Sequence, residues 1–283
     1  MLDQITPLVL TYNEAPNIGR TLEMLRWARD IVVVDSFSDD ETVETVSRFP
    51  QARVFQRRFD RHDKQWNFGL QETGIQTDWI LALDADYILT EEVVDELAAL
   101  HPAPETKGFW AKFTYCVNGE PLRSGVYPPV TVLYRRDSAS YAQDGHTHRI
   151  VVAGEIQDLH SRILHDDRKP LSRWFRSQDN YTSLEVKKLL TEPRENLSWN
   201  DRVRQLRIVA PVAVLFYCLI IRGGLLDGWA GFYYAFQRMI AEAMLSVRLL
   251  EHTTGPTKDI TTELSGRNLE EVRPGPAELR VKG

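Results

Sequence analysis

Trp79-Ile80-Leu81-Ala82-Leu83-Asp84-Ala85-Asp86 sets five apolar residues directly before two carboxylates, and Tyr87-Ile88-Leu89 follows. The apolar run is too short for a helix and lacks helical periodicity, so it predicts a buried strand. Along an extended chain, residues two apart point the same way. A strand end could therefore aim Asp84 and Asp86 into one cleft. Two like charges held together call for a divalent cation, and Mg²⁺ or Mn²⁺ keeps open positions for phosphate oxygens. Taken alone, the same Asp-x-Asp serves equally well as a helix cap or a solvated loop.

Upstream of this stretch, short apolar runs alternate with helical patterns. Ile5 to Leu10, Ile31 to Val34 and Arg53 to Gln56 read as strands. Helical spacing covers Ile18 to Ala28, a segment starting at Ser38 or Asp39, and Gln65 to about Thr73. That alternation predicts an α/β domain with a mostly parallel sheet flanked by helices on both faces. In such sheets ligands bind beyond the carboxyl ends of the strands. Here those ends are polar: Thr11-Tyr12-Asn13-Glu14, Asp35-Ser36, Arg57-Arg58 and Asp84-Ala85-Asp86. After a helix at Glu91 to Leu100, the segments Phe109–Tyr115, Thr131–Tyr134 and Arg149–Val152 predict a mixed or antiparallel portion. Asp144-Gly145-His146-Thr147-His148 and Ile163-Leu164-His165-Asp166-Asp167 are the His/Asp-bearing segments there.

The last third changes character. A helix from Leu171 precedes Ile208 to Ile221, an almost unbroken apolar run, and then a helix from Trp229 to Leu250 that is dense in aromatics. A spanning helix wants about 20 apolar residues. The run fits a core helix or an interfacial one, and the flanking Arg202, Arg204, Arg207 and Arg222 favour the interface. The expected division is residues 1–170 as the α/β domain, 171–252 as a helical, membrane-associating appendage, and 253–283 as an extended tail.

Composition narrows the function classes. The net charge of −6 argues against a nucleic-acid binder. Cys116 and Cys218 lack metal-type spacing and read as buried, reduced thiols of a cytosolic protein. The first residues show neither a basic nor an apolar leader pattern, so the fold is expected to start directly. No G-x-G-x-x-G follows the first strand and no P-loop is present.

Together the landmarks resemble the inverting glycosyltransferases of the GT-A fold, family 2. Leu8-Val-Leu-Thr-Tyr-Asn-Glu-Ala-Pro-Asn-Ile18 is similar to that family's first strand and nucleotide-binding turn. Ile31-Val-Val-Val-Asp-Ser-Phe-Ser-Asp-Asp-Glu-Thr42 is similar to its second strand, and Leu83-Asp-Ala-Asp86 to its Asp-x-Asp motif. Lys64-Gln-Trp-Asn-Phe-Gly69, Asn180-Tyr-Thr182 and Arg222-Gly-Gly-Leu-Leu-Asp-Gly-Trp-Ala-Gly231 resemble segments of bacterial lipopolysaccharide core glucosyltransferases.

The resemblance implies roles by position. Thr11, Tyr12 and Glu14 would hold the nucleoside, Asp35 would accept from the base, and Lys64 and Asn67 would lie beside the nucleotide. Asp84 would lie by the ribose and metal, Asp86 would bind the Mn²⁺ or Mg²⁺, and His165 would be a second metal ligand. Asp144 is the candidate general base, with Glu155 and Asp158 behind it. His146 and His148 form a weaker candidate metal pair. The implied partners are a UDP-sugar donor, a lipid-linked or lipopolysaccharide acceptor, and the cytoplasmic face of the inner membrane, which the enzyme would meet peripherally or monotopically. Two alternatives remain open: a polyprenyl-phosphate glycosyltransferase and a non-catalytic nucleotide-sugar-binding membrane adaptor.

Overall fold

The computed structural model describes residues 1–254 except Gly145, His146, Arg194 and Asn196. The tail expected from 253 onward falls almost wholly outside these residues. The chain divides into two compact units: residues 1–119 with 127–169, and residues 120–126 with 170 onward.

In the first unit, β1 (Ile5–Thr11), β2 (Ile31–Asp35), β3 (Ala52–Gln56) and β4 (Trp79–Asp84) lie parallel in the order β3-β2-β1-β4. The sheet continues through β8 (Val130–Arg135), β6 (Thr106–Val117), β11 (Glu155–His165) and the two-residue β5 (Tyr87–Ile88). β8 runs antiparallel to β4 and β6, and β5 antiparallel to β11, whereas β11 runs parallel to β6. The carboxyl ends of β1, β2, β4, β6 and β11 therefore share one edge. Strand order reverses between β1 and β4, the switch point at which such sheets open a crevice.

Alternation along the strands builds both layers. Odd-numbered Val9, Val33, Leu81 and Leu83 are buried against Ile18 and Leu22 of α1 (Ile18–Glu23), Val46 of α2 (Thr42–Ser47) and Leu97 of α4 (Glu91–Ala99). Even-numbered Leu8, Val32, Val34 and Ile80 meet Trp66 and Leu70 of α3 (His62–Gln71). Each fully buried aliphatic side chain contributes about 1.5–3 kcal/mol. α3 packs closely: a Cβ on Gly69 would stand 2.8 Å from Leu8 Cδ1. β9 (Ala139–Asp144) and β10 (Thr147–Val152) form a separate hairpin.

Several boundaries differ from expectation for physical reasons. α1 ends at Glu23 rather than Ala28, because the Leu25 and Ala28 N–H groups donate to residues three back, which tightens the last turns. α3 begins three residues before Gln65, with Asp63 in its first turn. β11 was legible only as a His/Asp-bearing segment, because exposed polar residues interrupt its apolar alternation. Cys116 and Cys218 are buried free thiols.

The second unit contains the two-residue strand β7 (Glu120–Pro121), α5 (Leu171–Thr191), α6 (Trp199–Arg204), α7 (Val209–Phe216), a π-helical turn at Tyr217–Ile221, and α8 (Gly228–Thr254). Val186 and Leu189 of α5 pack on Leu245 and Leu249 of α8. Between α7 and α8 the chain turns tightly. Gly223 and Gly228 take positive φ, and a Cβ on Gly231 would lie 2.0 Å from the Gly224 carbonyl oxygen. The Asp227 carboxylate accepts from Arg123 N–H (3.2 Å), Ser124 N–H (2.9 Å) and Ser124 Oγ (2.6 Å). The glycine-rich motif at 222–231 is thus a bend and a clamp.

Trp229, Phe232, Tyr233 and Phe236 recur at helical spacing on one exposed face of α8, while Tyr234 is buried and accepts from Val126 N–H at 3.1 Å. Ile208, Val212, Phe216, Ile220 and Ile221 are exposed as well, Ile221 by 74%. Among the described residues no single helix is long and apolar enough to cross a membrane. The pair Val209–Ile221 and Gly224–His252, bent by 70°, together reach that length and composition. Arg204 does not flank the run outwardly as the sequence suggested: its guanidinium is buried in ion pairs with Glu185 (3.3 Å) and Glu242 (2.9 Å).

Candidate active site

The site lies along the carboxyl edge of the first unit's sheet. Thr11 and Asp35 are register partners at the ends of β1 and β2. Asp35 is fully buried, and its Oδ1 accepts from Thr11 Oγ1 at 3.0 Å and from Ser38 Oγ. Its Oδ2 accepts from Ser38 N–H at 2.9 Å. The loops after β1 and β2 interlock, with Asn13 N–H donating to Ser38 Oγ (2.7 Å) and Asp39 N–H to Asn13 Oδ1 (2.9 Å). Asn13 holds φ at 54°, a conformation its short polar side chain tolerates. Tyr12 stands half-buried at the same strand end.

Leu10 is in register with Asp84, the last residue of β4. Asp86 is not on that strand but in the turn between β4 and β5. The alternation reasoning for the two carboxylates therefore fails in its mechanism: a reverse turn, not an extended chain, sets their relation. β5 then pairs with β11 so that Tyr87 lies opposite His165, and Asp166 N–H donates to the Asp86 carbonyl at 3.0 Å. This short ladder brings His165 Nε2 to 3.5 Å from Asp86 Oδ2. Tyr87, Tyr115 and Tyr127 ring the imidazole, with centroids 5.4, 4.9 and 4.5 Å away.

The loop after β11 closes the cluster. Lys169 Nζ lies 2.9 Å from Asp167 Oδ1, 3.1 Å from both Glu14 carboxylate oxygens and 3.7 Å from Asp86 Oδ2. Asn17 Nδ2 donates to Glu14 Oε2 (2.8 Å) and Asp167 Oδ1 (2.9 Å). Asp166 is held by Arg20 (2.7 Å), Arg168 (2.8 Å) and Gly119 N–H (3.0 Å). Lys169 was not singled out from sequence, and Asp167 only as the end of the segment 163–167. Their signal was a pair of acids followed by a pair of bases, Asp166-Asp167-Arg168-Lys169, which has no direction until β11 is known to end at His165.

Electrostatics follow from burial and neighbours. Burial first, and the Asp86 charge second, push Asp84 up to about 6. Burial would raise Asp86 too, but His165 and Lys169 outweigh it and hold that carboxylate well below its usual range. Burial pulls His165 down, and the neighbouring Asp86 charge and hydrogen bond carry it above its ordinary value.

The motif at Lys64–Gly69 reads differently in place. Asn67 Nδ2 donates to the Tyr141 carbonyl (2.8 Å) and its Oδ1 accepts from Tyr141 N–H (2.9 Å), so the amide ties α3 to β9. Trp66 stacks on Tyr141 at 5.2 Å. Lys64 is exposed and pairs with Asp60 at 3.2 Å. Both residues were expected beside a nucleotide, and both have these structural partners. Glu155 and Asp158 lie on the leading half of β11, ten and seven residues before His165. β11 bulges against β6, so Asp158 (opposite Trp110) stands five β6 residues from the Tyr115 level of His165, and Glu155 (opposite Thr106) nine. At about 3.3 Å per residue that is roughly 16 and 30 Å, which sets both well away from Asp86 and His165 and argues against a role as reserve bases. Asp144 ends β9; its side chain and that of His148, like all of His146, lie outside what the structure describes.

A divalent cation can be tested against these residues. Asp86 Oδ1 and His165 Nδ1 are buried without hydrogen-bond partners, a state that costs about 1–3 kcal/mol or more per group unless something else binds there. Asp86 is a hard oxygen donor of the kind Mn²⁺ and Mg²⁺ take, and the His165 imidazole is a softer donor that suits a transition metal such as Mn²⁺ better than Mg²⁺. Among the described residues no three His, Cys, Asp or Glu side chains gather as a complete metal cage. One carboxylate with positions left open for substrate phosphates is an arrangement that such a cation adopts. The residues fit the group.

The family profile described as glycosyl transferase family 2 matches residues 8–152, just over half of the chain. The chain belongs to that family. It is a glycosyltransferase, and its α/β architecture is GT-A-like. The match spans β1 to β10, so His165 and the loop to Lys169 lie beyond it. The chain is 25% identical to an uncharacterized glycosyltransferase of Rickettsia felis, over 94% of this chain and 98% of that one. Among solved structures it is similar to S. aureus TarS 1-349 in complex with UDP-GlcNAc, with a TM-score of 0.47, 14% identity, and 89% and 92% of the two chains covered. It is also similar to glucosyl-3-phosphoglycerate synthase from Mycobacterium tuberculosis in complex with Mn²⁺, UDP and phosphoglyceric acid, with a TM-score of 0.43, 14% identity, and 65% and 78% covered.

Proposed function

We propose that this family 2 enzyme is an inverting, divalent-cation-dependent glycosyltransferase that takes a sugar from a nucleoside diphosphate, UDP, and delivers it to a saccharide on a membrane lipid or lipid-linked glycan, as in lipopolysaccharide assembly. The observation that carries the reading is the meeting of Asp86 and His165 across the β5–β11 ladder, each with a buried unpartnered atom, in a carboxylate-rich site. Asp86 and His165 would hold Mn²⁺ or Mg²⁺, which when bound neutralises charge on the diphosphate leaving group.

The chain's own groups divide the remaining work. Asp35, fixed by Thr11 and Ser38, would accept an N–H of the base. Tyr12 lies at the same strand end for the nucleoside, and Thr11 and Glu14 act as supports, the one of Asp35 and the other of Lys169. Asp84 would lie beside the ribose and the cation. Asp144 takes the proton from the attacking acceptor hydroxyl. Its replacement by Asn should lower turnover far more than UDP affinity, and the reverse pattern would remove it from that role.

The exposed apolar face of the second unit supports attachment to the cytoplasmic leaflet. Aromatic rings at i, i+3, i+4 and i+7 on α8, and the aliphatic residues of α7, suit the boundary between headgroups and acyl chains. Flotation with anionic liposomes tests this: wild type should float, and Phe216→Asp with Trp229→Asp should not. Wild type remaining with the soluble fraction would overturn the membrane reading. The test of the reaction is release of nucleoside diphosphate from a panel of UDP-, GDP- and dTDP-sugars with a membrane lipid extract. UDP release that rises with the extract and stops with EDTA is expected. Release indifferent to EDTA would overturn the metal-dependent reading.

A further inference from the structure

The lysine beside Asp86 stands where a second positive charge has consequences for the first. Lys169 is nearly buried, with 11% of its side chain exposed. Its ammonium is anchored on two pre-set carboxylates. Glu14 is fixed by Asn17 Nδ2 (2.8 Å), and its own N–H donates to Thr42 Oγ1 (2.6 Å). Asp167 Oδ1 is fixed by Asn17 Nδ2 (2.9 Å) and by Lys169 N–H (3.0 Å). From that anchor Nζ reaches toward Asp86 Oδ2, the longest of its contacts at 3.7 Å. His165 Nε2 approaches the same oxygen at 3.5 Å, while Asp86 Oδ1 has no partner.

We propose that Lys169 is a built-in cation that opposes binding of a divalent metal alone at Asp86 and makes metal entry depend on the diphosphate of the donor. The inference rests on the reading of Asp86 and His165 as metal ligands. A fixed ammonium within a few ångströms of Asp86 repels a divalent ion in a low-dielectric site, where charges are poorly screened. A diphosphate brings negative charge that both the metal and the ammonium can share, so the same lysine favours the pair of ligands over either one. Linkage then requires UDP and metal to strengthen each other's binding by the same factor. Lys169 touches neither the sugar nor the acceptor in this account. It is a positioning residue acting through Asp86 and the donor's charge.

The test is Mn²⁺ binding followed by the electron-spin signal of the free ion, with and without UDP, in wild type, Lys169→Met, Lys169→Arg and Asp86→Asn. Wild type should bind Mn²⁺ weakly alone and much more tightly with UDP. Lys169→Met should bind Mn²⁺ alone about tenfold more tightly than wild type and lose a similar factor of the UDP coupling. Lys169→Arg should keep both wild-type properties, because it keeps the charge. Should Lys169→Met unfold for want of a cation beside buried Glu14, Lys169→Met with Glu14→Gln removes both charges and should show the same loss of coupling. Unchanged or weaker Mn²⁺ binding without UDP in the variant lacking the lysine charge overturns the proposal. Asp86→Asn separates the two levels. If it binds Mn²⁺ with UDP as wild type does, the site reading itself fails. If it does not, while Lys169→Met behaves as wild type, only the role of Lys169 fails.

Discussion

Two buried charge clusters, one in each unit, use the same residue types to opposite effect. In the helical unit Arg204 bridges Glu185 and Glu242, Lys188 pairs with Glu185 (3.4 Å) and Asp201 (3.1 Å), and Asp201 closes a capping box with Ser198. Each acid there touches a base, the three acids sharing Arg204 and Lys188, and Asp201 Oδ2 also accepts from Ser198 N–H at 3.0 Å. In the sheet unit Glu14, Asp84, Asp86 and Asp167 outnumber Lys169 and His165, and Asp86 Oδ1 and His165 Nδ1 are left over. A satisfied buried network fixes structure, whereas one held short of satisfaction stores a demand for a ligand. That contrast separates scaffold from site without reference to any relative.

Breaking the satisfied cluster should cost most. Arg204→Met leaves Glu185 and Glu242 buried without their shared guanidinium, and stability should fall by about 3–5 kcal/mol in urea unfolding. UDP affinity measured where the variant remains folded should be unchanged. A loss of UDP affinity without a loss of stability would mean that this cluster serves the reaction.

Asn67→Ala comes next. It removes the amide that bonds both backbone groups of Tyr141, and stability should fall by about 1–3 kcal/mol while UDP affinity holds. The opposite result would restore the nucleotide-contacting role that the sequence suggested for Asn67.

Asp84 and Asp201, one from each cluster, should also respond to pH with opposite signs. Asp84 has its folded pKa raised to about 6 by burial and by Asp86. The folded state therefore binds the Asp84 proton more tightly than the unfolded chain does, and stability falls as pH rises from about 4 to 6. Burial would raise Asp201, but the Ser198 and Lys188 hydrogen bonds outweigh it and hold it below its usual value. Its contribution is present above the unfolded pKa and is lost as pH falls through the folded one. Thermal unfolding with EDTA between pH 4 and 7 should show Asp84→Asn flattening the decline toward pH 6. Asp201→Asn should lower stability most at pH 7. Parallel shifts in the two variants would remove the contrast.

Much of the sheet was legible because its strands are buried on both faces. Ile31–Asp35 and Trp79–Asp84 carry their pattern in apolar runs that no helix would produce at that length. Thr11, Asp35 and Asp84 could be picked out as candidates because they end apolar strands, whereas His165 was picked out by resemblance. How Asp86 meets His165 was not legible, since the two-residue β5 has no periodicity to read and β11 shows polar residues along its exposed side. Lys169 was hidden for a related reason: a charged residue in a linker acquires meaning only from the carboxylates that long-range pairing brings to it. The Lys64–Gly69 motif shows the converse. Trp66 and Asn67 hold α3 to β9 and Gly69 packs on β1, a role that resemblance alone could not separate from contact with a nucleotide.

The most direct test of the contrast is the metal-dependent rate of UDP release by Asp86→Asn, measured at saturating Mn²⁺ beside its thermal unfolding. Turnover at least about a hundredfold below wild type, with a melting temperature unchanged or raised, is expected for a carboxylate kept for a cation rather than for the fold. Near-normal turnover that still requires Mn²⁺ would contradict it.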